Sequence, residues 1–274
     1  MTRRLTAAEL GSGETNQGSC SENFTFYVGM HQPAQAQFIE SPVMISYNRL
    51  RTRKSMIPGL SRWMLDSGAF SEVTTHGGYR DEPEVYAAAV RRWATCGQLE
   101  AAVSQDYMCE PFVLVRTGLS IAEHQRLTIE RYDALRALVG EAAYLLPVLQ
   151  GYLPEHYAAH LIQYGERLRP GMWIGVGSVC KRNASVREIG AVLRAIKQAR
   201  PDLALHGFGL KTTALQSREI RSLLHSADSM AWSFAARKRG GDANDWREAA
   251  RFAAAVTTPP VLEQTAMEHL WGPR

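Results

Sequence analysis

The sequence predicts a single (β/α)₈ TIM barrel, and three observations carry that prediction. Its 274 residues are close to the usual size of one such barrel. A content of 45% hydrophobic and 21% charged residues is that of an ordinary globular domain, with enough apolar side chains for one large interior. Short apolar runs alternate with longer amphipathic stretches, the pattern of repeated β-α units around a buried parallel sheet.

Taken in order, residues 1–22 are rich in Gly, Ser, Thr, Asn and Glu without periodicity and read as a flexible N-terminal arm. The barrel is expected over 23–256, and 257–274 reads as a terminal extension. Strands are expected at 24–29, 43–48, 62–66, 101–106, 144–150, 173–178, 204–209 and 227–233. Helices are expected around 32–40, 83–97, 120–139, 154–168, 185–199, 213–224 and 242–256. Ser120-x-x-Glu123 and Ser185-x-x-Glu188 have the form of capping boxes, and Pro83 and Pro154 suit a first helical turn. Val186, Ile189, Val192, Leu193 and Ile196 recur at helical spacing and should face the sheet. An open doubly wound sheet would typically have fewer strands and a nucleotide-binding glycine turn after the first, and no such turn is present.

Cys20, Cys96, Cys109 and Cys180 are scattered, with no zinc-ligand spacing, so neither a zinc subdomain nor a disulfide framework is expected and a reducing cytoplasm fits. No cofactor and no metal are called for. No apolar run reaches the length of a membrane helix, and the N-terminus lacks a signal-peptide stretch. The net charge of +4 does not by itself point to nucleic acid. The clusters Arg49, Arg51, Arg53, Lys54 and Arg237, Lys238, Arg239 could neutralise phosphates or simply form a solvated surface.

Barrel enzymes place their chemistry at the C-terminal ends of the strands. Polar residues stand at those positions: His31, Asn48, Asp66, Asp106, Gln150, the Gly175–Gly177 run, Phe208 with Lys211, and Asp228. Three aspartates and a glutamine meeting at one mouth are hard to explain as structure, because buried carboxylates are costly unless paired or used. The bland readings are that Asp66 caps a Ser-Gly turn, Asp228 caps its own backbone, and His206 is a satisfied core histidine.

These motifs resemble the tRNA-guanine transglycosylase superfamily. Asp66-Ser67-Gly68-Ala69-Phe70 is similar to its DSGGF signature, with Ala69 in place of a glycine. Asp106 with Cys109 and Pro111 resembles the segment that reads the guanine edge, Gln150-Gly151 the VQG element, and Gly175-Val176-Gly177 the glycine-rich strand against the base. Asp228-Ser229 followed by Trp232 resembles the archaeal FDS segment, with Ala227 in place of Phe. The CxCxxC zinc module of the tRNA enzymes is missing from the sequence, as are the extra RNA-binding domains of the archaeal enzymes. With His31-Gln32-Pro33 and the run ending Asn244-Asp245-Trp246, the chain most resembles the 7-deazaguanine DNA transglycosylase, or DpdA-type, branch.

The resemblance implies a DNA-guanine transglycosylase with DNA and a 7-deazaguanine base such as 7-cyano-7-deazaguanine as substrates. Asp228 would be the nucleophile and Asp66 the general acid/base. Asp106, Gln150 and the backbone N–H of Gly177 would read guanine, and Phe70 would stack on it. Ser67, Gly68, Gly151, Gly175, Phe208, Asn48 and His31 would complete the base site. Arg51, Arg53, Lys54, Lys211, Arg237, Lys238 and Arg239 would hold the nucleic-acid backbone. A homodimer is common in the superfamily. The alternatives are a tRNA-directed enzyme, a retaining glycoside hydrolase, a phosphate-binding barrel and a catalytically silent nucleic-acid-binding subunit.

Overall fold

The computed structural model describes residues 24–180 and 185–258. The expected arm over 1–22 lies outside the described residues, as does the expected extension from residue 259 on. Nine parallel strands form the sheet: β1 Thr25–Met30, β2 Val43–Ser46, β3 Arg62–Asp66, β4 Gln98–Val103, β5 Leu145–Leu146, β6 Val148–Leu149, β7 Trp173–Val176, β8 Ala204–Gly207 and β9 Ser226–Ser229. Their order is β5-β4-β3-β2-β1-β9-β8-β7-β6. The two ends of that order, β5 and β6, are halves of one chain segment separated by Pro147. Its first half pairs with β4 and its second with β7. A proline has no N–H to give a ladder, so the run changes neighbours there and nearly closes the barrel. Eight strands were expected, and the ninth is this division of the expected 144–150 strand.

The strands' period of two sorts the side chains. Phe26, Val28, Ile45, Trp63, Leu65, Ile174, Val176, Leu205 and Ala227 face the surrounding helices in one large core. Tyr27, Met44, Met64, Ala101, Val103, Leu146 and Val148 fill the barrel interior, with Trp173 and Phe208 packed against them. Continuing the inward rows by two residues, from Met44 to Ser46, Met64 to Asp66 and Val148 to Gln150, leads out of the apolar filling and into the mouth.

Several expected boundaries move at that mouth. The strand expected over 43–48 ends at Ser46, because Tyr47–Leu50 is already a helical turn. The fourth strand ends at Val103, so Ser104–Asp106 follow it as irregular chain. The strand expected over 227–233 ends at Ser229, where the Ser229 hydroxyl accepts the Ala231 N–H at 3.1 Å and starts a helix over Ala231–Lys238. Helices Ala69–His76 and Pro111–Thr117 were not expected. The first follows a left-handed Gly68 in place of a capping side chain, and the second is apolar enough to pass for a strand. The expected 213–224 helix is two pieces, Thr212–Leu215 and Arg218–Leu223, the second capped by Ser217. Elsewhere the local chemistry holds: Ser120 and Glu123 form a full capping box, Ser185 accepts the Glu188 N–H, and Pro83 and Pro154 open their helices.

Candidate active site

A cavity of about 650 Å³ opens at the C-terminal ends of the strands. It is lined by Asp66, Asp106, Asp228, Gln150, Gly177, Asn48, His31, Phe70 and Phe208 of the expected set. The two carboxylates that sequence reasoning paired therefore face one pocket, close enough for the charge on Asp228 to act on Asp66.

Asp66 stands on β3 beside Ser46 of β2 in the parallel register. Its carboxylate accepts the Gly68 N–H at 3.2 Å, which the left-handed turn at Gly68 (φ 77°) aims back toward it. A side chain at 68 would also strike the Asn48 carboxamide, 2.5 Å from where its Cβ would stand, while Asn48 donates to the Gly68 carbonyl at 3.2 Å. The Asp-Ser-Gly signature is thus a turn that holds a carboxylate. Burial pushes the Asp66 pKa up to about 6; the Ser46 hydrogen bond opposes the shift and the Asp228 charge adds to it.

Asp228, 8% exposed, is held through one oxygen. Its Oδ1 accepts the Gly209 N–H at 2.9 Å and lies 3.3 Å from Nε2 of His206. Trp173 Nε1–H donates to the Ser226 hydroxyl at 2.9 Å, leaving that hydroxyl to donate to Nδ1 of His206 at 3.0 Å. The relay puts the imidazole proton on Nε2, facing Asp228. His206 is a fully buried, satisfied histidine, as the bland reading held. What it satisfies is an aspartate of the site, and that could not be read without the β8–β9 register.

Asp106 is 6% exposed and its pKa is pushed up to about 7, chiefly by burial and further by the charges on Asp66 and Glu110, with Gln150 opposing. Gln150 Nε2 donates to Asp106, and Gln150 Oε1 faces the Ser178 hydroxyl at 2.7 Å. That hydroxyl also lies 2.8 Å from Glu110 Oε2 and accepts the Cys109 N–H at 2.9 Å. Ser178 holds this position with φ 53°, the one non-glycine left-handed residue among the described ones. Ser46, Glu110 and Ser178 were missed by sequence reasoning. Ser46 had a signal, lying two residues beyond the inward Met44, and Ser178 closes the Gly-Val-Gly run.

Two expected roles are corrected. The Gly177 N–H is not available to a ligand, since it donates to the Leu149 carbonyl at 2.9 Å within the sheet. What Gly177 provides is room: a Cβ there would lie 2.1 Å from the Gln150 carboxamide. Gly175 likewise makes room for the Phe208 ring and Gly151 packs against His156 and Tyr157, and neither lines the cavity. Arg51 lines the pocket, but its charge is spent on Glu72 at 2.9 Å and on Asp81. Ser67 is buried beside the lining.

Gly177→Ala is accordingly expected to push Gln150 off Asp106, at a stability cost of ~1–3 kcal/mol for the extra methyl. A thermal melt checks this; an unchanged melting temperature would mean that the Gln150 carboxamide yields to the methyl without cost.

Around the rim, Arg49, a member of the basic cluster noted in the sequence, and Arg80, which was not noted, line the cavity. Arg49 lies 3.3 Å from Nδ1 of His31, whose pKa is lowered by burial and then by the charges on Arg49 and Arg237. Arg237 does not itself line the cavity. Lys238 lies over the Phe234 ring and Arg239 pairs with Glu248 at 3.1 Å. Arg53 donates to the Ser55 and Met56 carbonyls, and neither it, Lys54 nor Lys211 lines the cavity. Phe70 and Phe112 meet edge to face at 6.3 Å on the outer wall, both substantially exposed.

Among the described residues no group of three or more His, Cys, Asp or Glu could hold a metal ion, and no helix is long and apolar enough to cross a membrane. A family model described as DpdA, DeoxyPurine in DNA protein A, matches residues 22–245. No curated protein matches the chain.

Proposed function

The chain belongs to the DpdA family of DNA 7-deazaguanine transglycosylases, relatives of the tRNA-guanine transglycosylases, and from that premise we propose that it replaces guanine in DNA by a 7-deazaguanine base through a covalent aspartyl intermediate. The family accounts for the DNA and for base exchange in general. The assignment of roles goes beyond the family, and the observation that supports it best is the convergence of Asp66, Asp106 and Asp228 on one cavity of about 650 Å³.

In this reading Asp228 attacks C1′ with its Oδ2, since Oδ1 is engaged by Gly209 and His206. The C1′–N9 bond breaks as the C1′–O bond forms, with the bonding pair leaving on the base. Asp66 delivers a proton to the departing guanine. Its pKa of about 6 suits a group that must later take the N9 proton from the incoming base, because acid/base catalysts work best near the operating pH. That base then displaces Asp228 from C1′, and two displacements retain the anomeric configuration.

Asp106, when ionised, accepts from N1–H and the exocyclic amine of guanine. Gln150, with one N–H on Asp106, has the other to offer the O6 carbonyl. The target nucleotide must leave its stack to reach these groups. Arg49, beside His31 at the rim, is the cation best placed to hold its phosphates.

The test is to incubate the protein with labelled guanine and either DNA or tRNA. Label is expected in DNA. Label in tRNA alone, or in neither polymer, would sink the proposal, and the second result would favour a silent binding subunit.

A further inference from the structure

We infer that Glu110 selects the substituent on C7 of the incoming base, and that the site favours a 7-deazaguanine carrying a cationic hydrogen-bond donor there, such as an aminomethyl group, over one carrying a nitrile. This rests on the base-exchange reading above and deepens it. Glu110 lines the cavity and is 2% exposed. A carboxylate withdrawn from water to that degree needs donors, and it has few. Its Oε2 competes with Gln150 Oε1 for the single proton of the Ser178 hydroxyl. Among the described residues its Oε1 faces only the Cys180 thiol at 3.9 Å, a weak donor. Among the described residues no lysine or arginine pairs with it.

The order of groups along the wall says which part of a base would supply the missing donor. Asp106, Gln150, Ser178 and Glu110 form one hydrogen-bonded chain. The edge of a 7-deazaguanine runs N2, N1, O6, C7. With Asp106 on N2 and N1 and Gln150 on O6, the next group on the base is the C7 substituent and the next on the wall is Ser178 with Glu110. An ammonium there donates to the carboxylate in a charge-assisted bond. A nitrile carries only a lone pair and would leave the carboxylate without a donor and face it with another acceptor. The negative charge on Glu110 already acts on Asp106, so a cation at this place would also relieve repulsion between the two carboxylates.

The test is competition between 7-aminomethyl-7-deazaguanine and 7-cyano-7-deazaguanine for insertion into DNA by the full chain, quantified by nucleoside mass spectrometry. The aminomethyl base is expected to be favoured at least about tenfold, the factor typical of one hydrogen bond to a charged group. In Glu110→Gln the ratio is expected to fall toward unity. Equal insertion or preference for the nitrile by the unaltered chain overturns the selectivity, while a retained ratio in Glu110→Gln overturns the assignment to that residue. Labelled guanine run in parallel separates the two levels: guanine exchange without the preference defeats only this inference, whereas no exchange with any base defeats the reading beneath it.

Discussion

Asp228→Ala is expected to lower guanine exchange by about 10⁴-fold or more, the scale seen when a covalent nucleophile is removed, and to abolish any DNA adduct that survives denaturation. The expectation follows from how the carboxylate is held. Gly209 and His206 fix one oxygen, and the relay Trp173–Ser226–His206 fixes the imidazole in turn. The other oxygen is left to react from a defined place, and orientation of this kind is a large part of what a catalytic group contributes. Removing the side chain also strands a buried imidazole N–H, at a cost of ~1–3 kcal/mol. Asp228→Asn is therefore the companion variant: it keeps an acceptor for both donors while losing nucleophilicity, and the same loss of exchange is expected with the melting temperature nearly unchanged. Rates and adducts on denaturing gels decide the matter. If Asp228→Asn still forms an adduct, another group attacks C1′.

The barrel and the positions of Asp66 and Gln150 were legible in the sequence for the same physical reason. Parallel strands buried on both faces read as apolar runs, and a polar residue at the end of such a run has only the mouth to go to. Asp66 and Gln150 are located from sequence in this way, whereas Asp228, at the start of the strand expected over 227–233, was placed by its resemblance to the FDS segment. Groups whose place depends on irregular chain or on pairing between distant strands are not located in this way. Glu110 lies seven residues beyond the end of β4, and its part in the site depends on Ser178, 68 positions away. His206 reads as core until the register sets Ser226 beside it. The basic clusters misled in part because charge counts ignore pairing: Arg51 and Arg239 are committed to carboxylates, as is Arg80 at the cavity wall, while Arg49 lies against His31. Glycines misled differently. Gly177 was expected to offer its backbone, yet in a continuous sheet the N–H is already used and only the missing Cβ matters.

Asp106→Asn is expected to cost about 10²-fold or more in kcat/KM, because an amide presents a donor where guanine also presents one and a polar mismatch in a closed site is heavily penalised. The same change should stabilise the fold at alkaline pH. Asp106 has a folded-state pKa of about 7, above the roughly 3.9 of an unfolded aspartate. Between those values the native state holds the proton that the unfolded chain has released, so stability falls as pH rises from about 4 to about 7 and stays low above it. Above pH 7 the native carboxylate is ionised in a buried site near the charges of Asp66 and Glu110, a penalty that asparagine does not incur. A gain of the order of 2–4 kcal/mol is expected at pH 8 and essentially none at pH 4, read from melts of both proteins across that range. Substrate should reverse the penalty, since the two N–H groups of guanine compensate the charge. Base binding to the unaltered chain is thus expected to weaken as pH falls through 7 and Asp106 takes up its proton, a dependence that calorimetric titration should find missing in Asp106→Asn. A variant that is less stable at pH 8, or that binds guanine as well as its parent, would mean that the charge on Asp106 serves the fold rather than the purine.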